Sequence, residues 1–218
     1  MMTSEIMLAA PNDRPGIGRT IRPFGLCLTT IFMSVVLLPS PARAQAPVFE
    51  VTPQSSQIKF HVQSSMDLTG DFEKWKASLT FTSPEVTTGV LDIEIQAASV
   101  NTGSGMKNGK LKDKDFFDVK EFPVISFKST KIVQTGANTF DIPGIFTIRG
   151  VSNPETLHLT VSGVGTGSGE VVGTMAFDRK DYGMNKNIPF MKIANRVEVS
   201  VDIKAKRVSG PPVVLKKF

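Results

Sequence analysis

Few side chains in this sequence are of the types that carry protons, metals or nucleophiles. Two histidines, His61 and His158, occur in 218 residues. Both fall on the polar phase of an apolar–polar alternation, which reads as surface, and two isolated imidazoles are too few for a structural zinc site. Asp113, Asp115 and Asp118 are spaced faintly like a calcium loop but lack its glycine and its closing glutamate. Gly163, Gly165, Gly167 and Gly169 alternate without spelling a dinucleotide fingerprint, and no helical pattern follows, so they read as a flexible turn. No serine sits in a Gly-x-Ser-x-Gly elbow. Ser129 is the clearest polar break in an otherwise apolar set, and no base lies near it in sequence. Carboxylate pairs that meet only in space are invisible at this level. No catalytic residue, metal site or cofactor is assigned.

The elements that would position any chemistry begin after a leader. Arg14, Arg19 and Arg22 precede an apolar run from Phe24 to Leu38, and Pro39, Pro41 and Ala42-Arg43-Ala44 follow it. That order reads as a secretory signal, residues 1–44, cleaved after Ala44. The run is shorter than the roughly 20 apolar residues a bilayer helix needs. The single cysteine, Cys27, lies within it, so the exported part has no thiol, disulfide or thiolate metal site. Of 25 basic and 20 acidic residues, four and two precede residue 45, which leaves 21 and 18. A net charge of +3 is too mild to argue for nucleic acid.

Beyond residue 45, period-two alternation dominates. Eight segments carry it, centred on 58–62, 75–81, 91–97, 125–129, 140–148, 157–161, 171–177 and 197–205. One face of each is apolar and the other wet, the signature of antiparallel strands. With no long helix to cover the apolar face, the sheet must close on itself or fold into a sandwich. About eight strands closed as a barrel leave an interior that side chains fill or that holds one small ligand.

The connections are unequal. In an up-and-down meander the second-to-third, fourth-to-fifth and sixth-to-seventh links share one end, and they are polar and rich in turn residues. The other end receives the two long links. Residues 98–124 carry Leu111, Phe116, Phe117 and Phe122, with Ser104 placed to cap a short helix. Residues 178–196 carry Tyr182, Met184 and Phe190. These side chains form either a portal or a plug for the barrel end. The same links hold Lys107, Lys110, Lys112, Lys114, Arg179, Lys180, Lys186 and Lys192. They read either as an ordinary solvated rim, partly cancelled by aspartates, or as a site for a phosphate head or an anionic membrane surface. Residues 206–218 read as a mobile tail.

Five segments then resemble one family, in its order and spacing. They are Gly70-Asp71-Phe72 through Trp75; Asp115-Phe116-Phe117-Asp118; Phe122-Pro123 with Phe127-Lys128-Ser129; Phe146-Thr147-Ile148-Arg149-Gly150-Val151; and Arg179-Lys180-Asp181-Tyr182-Gly183. The chain from Phe49 to Ala205 resembles the YceI-like family. The resemblance implies a periplasmic or secreted all-β protein: an antiparallel, lipocalin-like barrel over 45–205, about eight-stranded, with one short helix in a long loop. It also implies a polyisoprenoid or other long-chain apolar lipid in the interior, and no catalysis. Where many members have a histidine after the first strand, this chain has Ser64-Ser65-Met66.

The leading expectation is therefore a protein that binds, and transports or stores, a long-chain lipid. Its interior candidates are Phe60, Trp75, Leu79, Phe81, Ile93, Ile95, Phe127, Phe146, Ile148, Leu159, Met175, Phe177 and Val199. Its mouth candidates are Leu111, Phe116, Phe117, Tyr182, Met184 and Phe190. Two alternatives stand beside it: an enzyme acting on a lipid or quinone held in the same barrel, and a structural or stress-related interaction domain whose interior is simply packed. The carrier reading requires an unfilled lumen, and an opened barrel edge could support a homodimer.

Overall fold

The computed structural model describes residues 45–65, 68–163, 165–187 and 192–218. The leader and candidate Phe190 lie outside them. All eight alternating segments form strands in the expected phase. Ile58, Phe60 and Val62 are buried, for example, while Lys59 and His61 are exposed. The eight are β2 (Gln57–Ser64), β4 (Trp75–Thr80), β5 (Val90–Gln96), β7 (Val124–Ser129), β9 (Thr139–Ile148), β10 (Val151–Ser162), β11 (Ser168–Asp178) and β12 (Ile193–Ser209). The helix α1 spans Gly105–Lys112, and the Ser104 side chain accepts from the Lys107 N–H at its start.

The strand count differs from the expected eight. Among the described residues the sheet has twelve strands. The additions are β1 (Val48–Val51), β3 (Leu68–Phe72), β6 (Val100–Asn101) and β8 (Val133–Gln134). Two-residue strands are too short to show a period. In β3 only Leu68 and Phe72 are buried, and Gly70 occupies the position between them. The Phe60 ring of β2 lies over that glycine, and a Cβ there would come within 2.7 Å of it. The apolar partner that would have completed the pattern thus comes from the neighbouring strand.

The sheet order is β4-β5-β7-β9-β10-β11-β12-β2-β3-β6, antiparallel throughout. The meander holds from β4 to β12 and fails at its first strand. β2 pairs with β12, with Phe60 opposite Val199 and Val62 opposite Val197, but on its other side with β3 and not with β4. The sheet therefore curls into a barrel with a seam between β3–β6 and β4. The chain crosses that seam in a 3₁₀ turn at Ala97–Ser99. There the Ser99 carbonyl accepts from Glu73 N–H at 3.2 Å and the Lys74 carbonyl from Gln96 N–H at 2.9 Å.

The last thirteen residues are also corrected. β12 continues to Ser209 and pairs with β1. Val214 then bridges to Glu85 in parallel. The Gln134 amide clamps the Lys216 backbone, accepting from its N–H at 2.8 Å and donating to its carbonyl at 3.2 Å. Val213 and Leu215 pack against the core. Their alternation is only two residues long and follows Pro211-Pro212, so composition alone reads the segment as loose.

Candidate ligand cavity

The two long links, 98–124 and 178–196, meet the β9–β10 turn at one end, and Arg149 joins the three. Arg149 and Gly150 form the two-residue turn between β9 and β10, both at positive φ, 54° and 72°. From there the guanidinium donates to the Gly183 carbonyl at 2.6 Å and the Lys114 carbonyl at 2.7 Å. Gly183, itself at φ 75°, has no room for a side chain, because a Cβ would meet Arg149 Nη1 at 2.7 Å.

This end is plugged. Leu111, Phe116, Phe117 and Met184 are each under one-tenth exposed, and Tyr182 is fully buried. The Tyr182 ring stands edge-on to Phe146 and Phe177, with centroids 5.5 and 5.1 Å away. Its hydroxyl donates to Glu155 at 3.1 Å. Burial, with the Glu155 carboxylate adding to it, pushes the phenol far above its ordinary pKa. Burial also raises the Glu155 pKa, partly offset by the hydrogen bond from Tyr182.

The rim reading of Arg179 is corrected too. Arg179 is 4% exposed, and its guanidinium strings the second long link around itself. Nε donates to the Ala194 carbonyl, Nη1 to those of Met184 and Lys186, and Nη2 to that of Ile193 and to Asn187 Oδ1. All five N–H groups are used. Lys110 is likewise engaged, with Asp115 at 3.0 Å and Asp113 at 3.5 Å.

Inside, side chains divide the lumen into three cavities. One of about 60 Å³ lies under the plug, and its walls include Phe60, Ile95, Leu111, Phe116, Phe117, Phe146, Ile148, Phe177, Met184 and Val199. Arg179 is its single polar side chain. A second, of about 120 Å³, is walled by Leu79, Phe81, Ile93 and Leu159 among others, with Ser78 its single polar side chain. The third, about 160 Å³, adjoins the second across shared Phe49, Phe81 and Phe140. It lies under Pro212, Val213 and Leu215 and against the Gly163–Gly169 turn.

Of the remaining candidates, Phe127, Met175 and Tyr182 are buried but wall none of the three cavities. The Phe127 ring instead covers Gly144 on β9. Trp75 lines an outer cleft at the seam with Gln57, Asp71 and Gln96. Ser129 spends its oxygen on the Leu91 N–H at 2.9 Å, extending the ladder. His158 is exposed and pairs with Asp141 at 2.7 Å. No group of three metal-ligating side chains occurs among the described residues.

Sequence reading missed Phe72, Phe140, Ile142 and the tail residues of the third cavity. It also missed both inward arginines, although the signal was present. Carried one step past the apolar runs, 171–177 leads to Arg179 and 197–205 leads to Arg207.

A family model of the YceI-like domain matches residues 49–205. The chain belongs to the YceI-like domain family. Among curated relatives of this YceI-like chain, a UPF0312 protein of Pseudomonas savastanoi pv. phaseolicola is 30% identical over 96 residues, 44% of this chain and 50% of the relative. The chain thus spans half the length of that relative. A UPF0312 protein of Shewanella denitrificans is 24% identical over 168 residues, 74% of this chain and 88% of the relative. The YceI-like barrel resembles solved BcnA from Burkholderia cenocepacia, with TM-score 0.64, 24% identity and coverage of 71% of this chain and 99% of BcnA. It also resembles a polyisoprenoid binding domain from Saccharophagus degradans, with TM-score 0.57, 16% identity and coverage of 74% and 99%. At these identities the likeness is one of fold.

Proposed function

We propose that this YceI-like barrel binds a long apolar molecule of the isoprenoid or acyl type in its interior, outside the cytoplasm, and does not transform it. The observation that carries the reading is the wall. The two inner cavities have one polar side chain each, Arg179 with every donor spent and Ser78. Walls so apolar support binding, stabilising a chain by about 0.8 kcal/mol per buried CH₂. The polyisoprenoid-binding neighbour on the same fold supports it. The leader pattern at 1–44 supports export.

The two larger cavities, about 120 and 160 Å³, are near the size of an apolar void of about 150 Å³ that takes benzene, and the one under the plug, about 60 Å³, is far smaller. A longer chain must swing aside the rings between them. That division of the lumen favours the packed-domain reading, which stands second. Mass spectrometry of organic extracts from protein purified from its own host separates the two. A stoichiometric long-chain lipid is expected. Repeated extracts without one leave a packed interaction domain.

A further inference from the structure

Resting on the carrier reading, we propose that the cargo enters under the C-terminal segment 210–218 and that its head is an anion held by Arg207. The two arginines that line interior cavities, Arg179 and Arg207, differ in what they have left to give. At the plugged end Arg179 donates every N–H to the protein. At the other end Arg207 stands on the inward phase of β12, half-buried, at the wall of the largest interior cavity. Its Nη1 donates to the Gly210 carbonyl. Its other side-chain N–H groups have no partner among the described residues, and no carboxylate there lies within ion-pair distance.

A guanidinium with free donors at the mouth of an apolar chamber selects a head that is anionic and accepts in a fork, a carboxylate or a phosphate. The cover is the lighter one as well. Val213 and Leu215 are only partly buried, and the segment is held down by two hydrogen bonds between Lys216 and Gln134, one donated and one accepted by the amide, with the Val214–Glu85 pairing. The segment turns at Gly210, φ 78°, so Arg207 touches the base of the cover it would hand over to the head.

The test is calorimetric titration of the purified protein with hexadecanoate, hexadecyl phosphate and hexadecanol, three probes with one chain and different heads. Both anions are expected to bind about tenfold tighter than the alcohol, the worth of one charge-assisted hydrogen-bonded pair. Arg207→Gln is expected to erase the preference while keeping hexadecanol affinity, Arg207→Lys to keep part of it, and Lys112→Gln at the plugged end to leave it intact. A tighter phosphate than carboxylate points to a phospho-head, and the reverse to a fatty acid. Equal affinities for all three probes, or a preference that survives in Arg207→Gln, overturns the assignment and spares the carrier reading. No binding of any probe overturns both.

Discussion

Arg179 shows what one side chain does to a long loop. Burial pulls its pKa down, and Asp178 pushes back only in part, so the charge is kept by the carbonyls ringed about it. Replacing it with methionine leaves those carbonyls unpaired. We expect Arg179→Met to cost about 3 kcal/mol and to lower the melting temperature by roughly 6–12 °C, read by thermal unfolding. An unchanged melting temperature would show that the link does not depend on it. Glu155 gives a pH effect. Its folded pKa is raised, so the folded state holds its proton more tightly than the unfolded chain does. Stability then falls as pH rises from the ordinary carboxyl value through the raised one. Glu155→Gln should flatten that decline in melting temperature above about pH 4. The alternation rule placed nearly every inward apolar side chain. It passed over Arg179 and Arg207 because a strand was taken to end where its apolar residues end.

Among elements, the β9–β10 hairpin sets the plugged end. Its turn residue Gly150 has positive φ and lies under the Phe122 ring, which a Cβ would meet at 2.5 Å. Gly150→Ala should destabilise by about 1–3 kcal/mol. Gly109→Ala, in α1 with open space around it, should stabilise by about 0.5–1 kcal/mol. Denaturant midpoints compare the two, and equal effects would refute the argument. The helix cap at Ser104 was legible because local chemistry makes it, whereas the tight turn was not, since the apolar alternation of β10 starts only at Leu157. Nor was β3, since its middle inward position is a glycine filled by Phe60 from β2, and a ring borrowed from another strand leaves no mark on the strand that lacks it.

At the scale of the molecule, sequence patterning gives a closed meander, and its closing pair is found, β2 against β12, residues 57–64 against 193–202; what departs is the first link, where β2 pairs with β3 and not with β4. The long links were expected at one end and are found there, and portal against plug resolves as plug because Tyr182 packs edge-on to Phe146 and Phe177, Phe117 packs on Phe72, and Phe116 is buried. What remains is the join between β4 and β3, where no ladder runs and the crossing at Ala97–Ser99 supplies the stitches. A tube sealed by continuous hydrogen bonds can widen only by rupturing them. One with a slit can dilate by sliding side chains apart, so its bore is elastic and the volume at rest understates the girth it admits. The chain's sole indole, Trp75, sits on the lip of that slit; a shift of its emission on adding hexadecanol is the expected sign of the lips parting, and an unchanged spectrum would show a rigid seam.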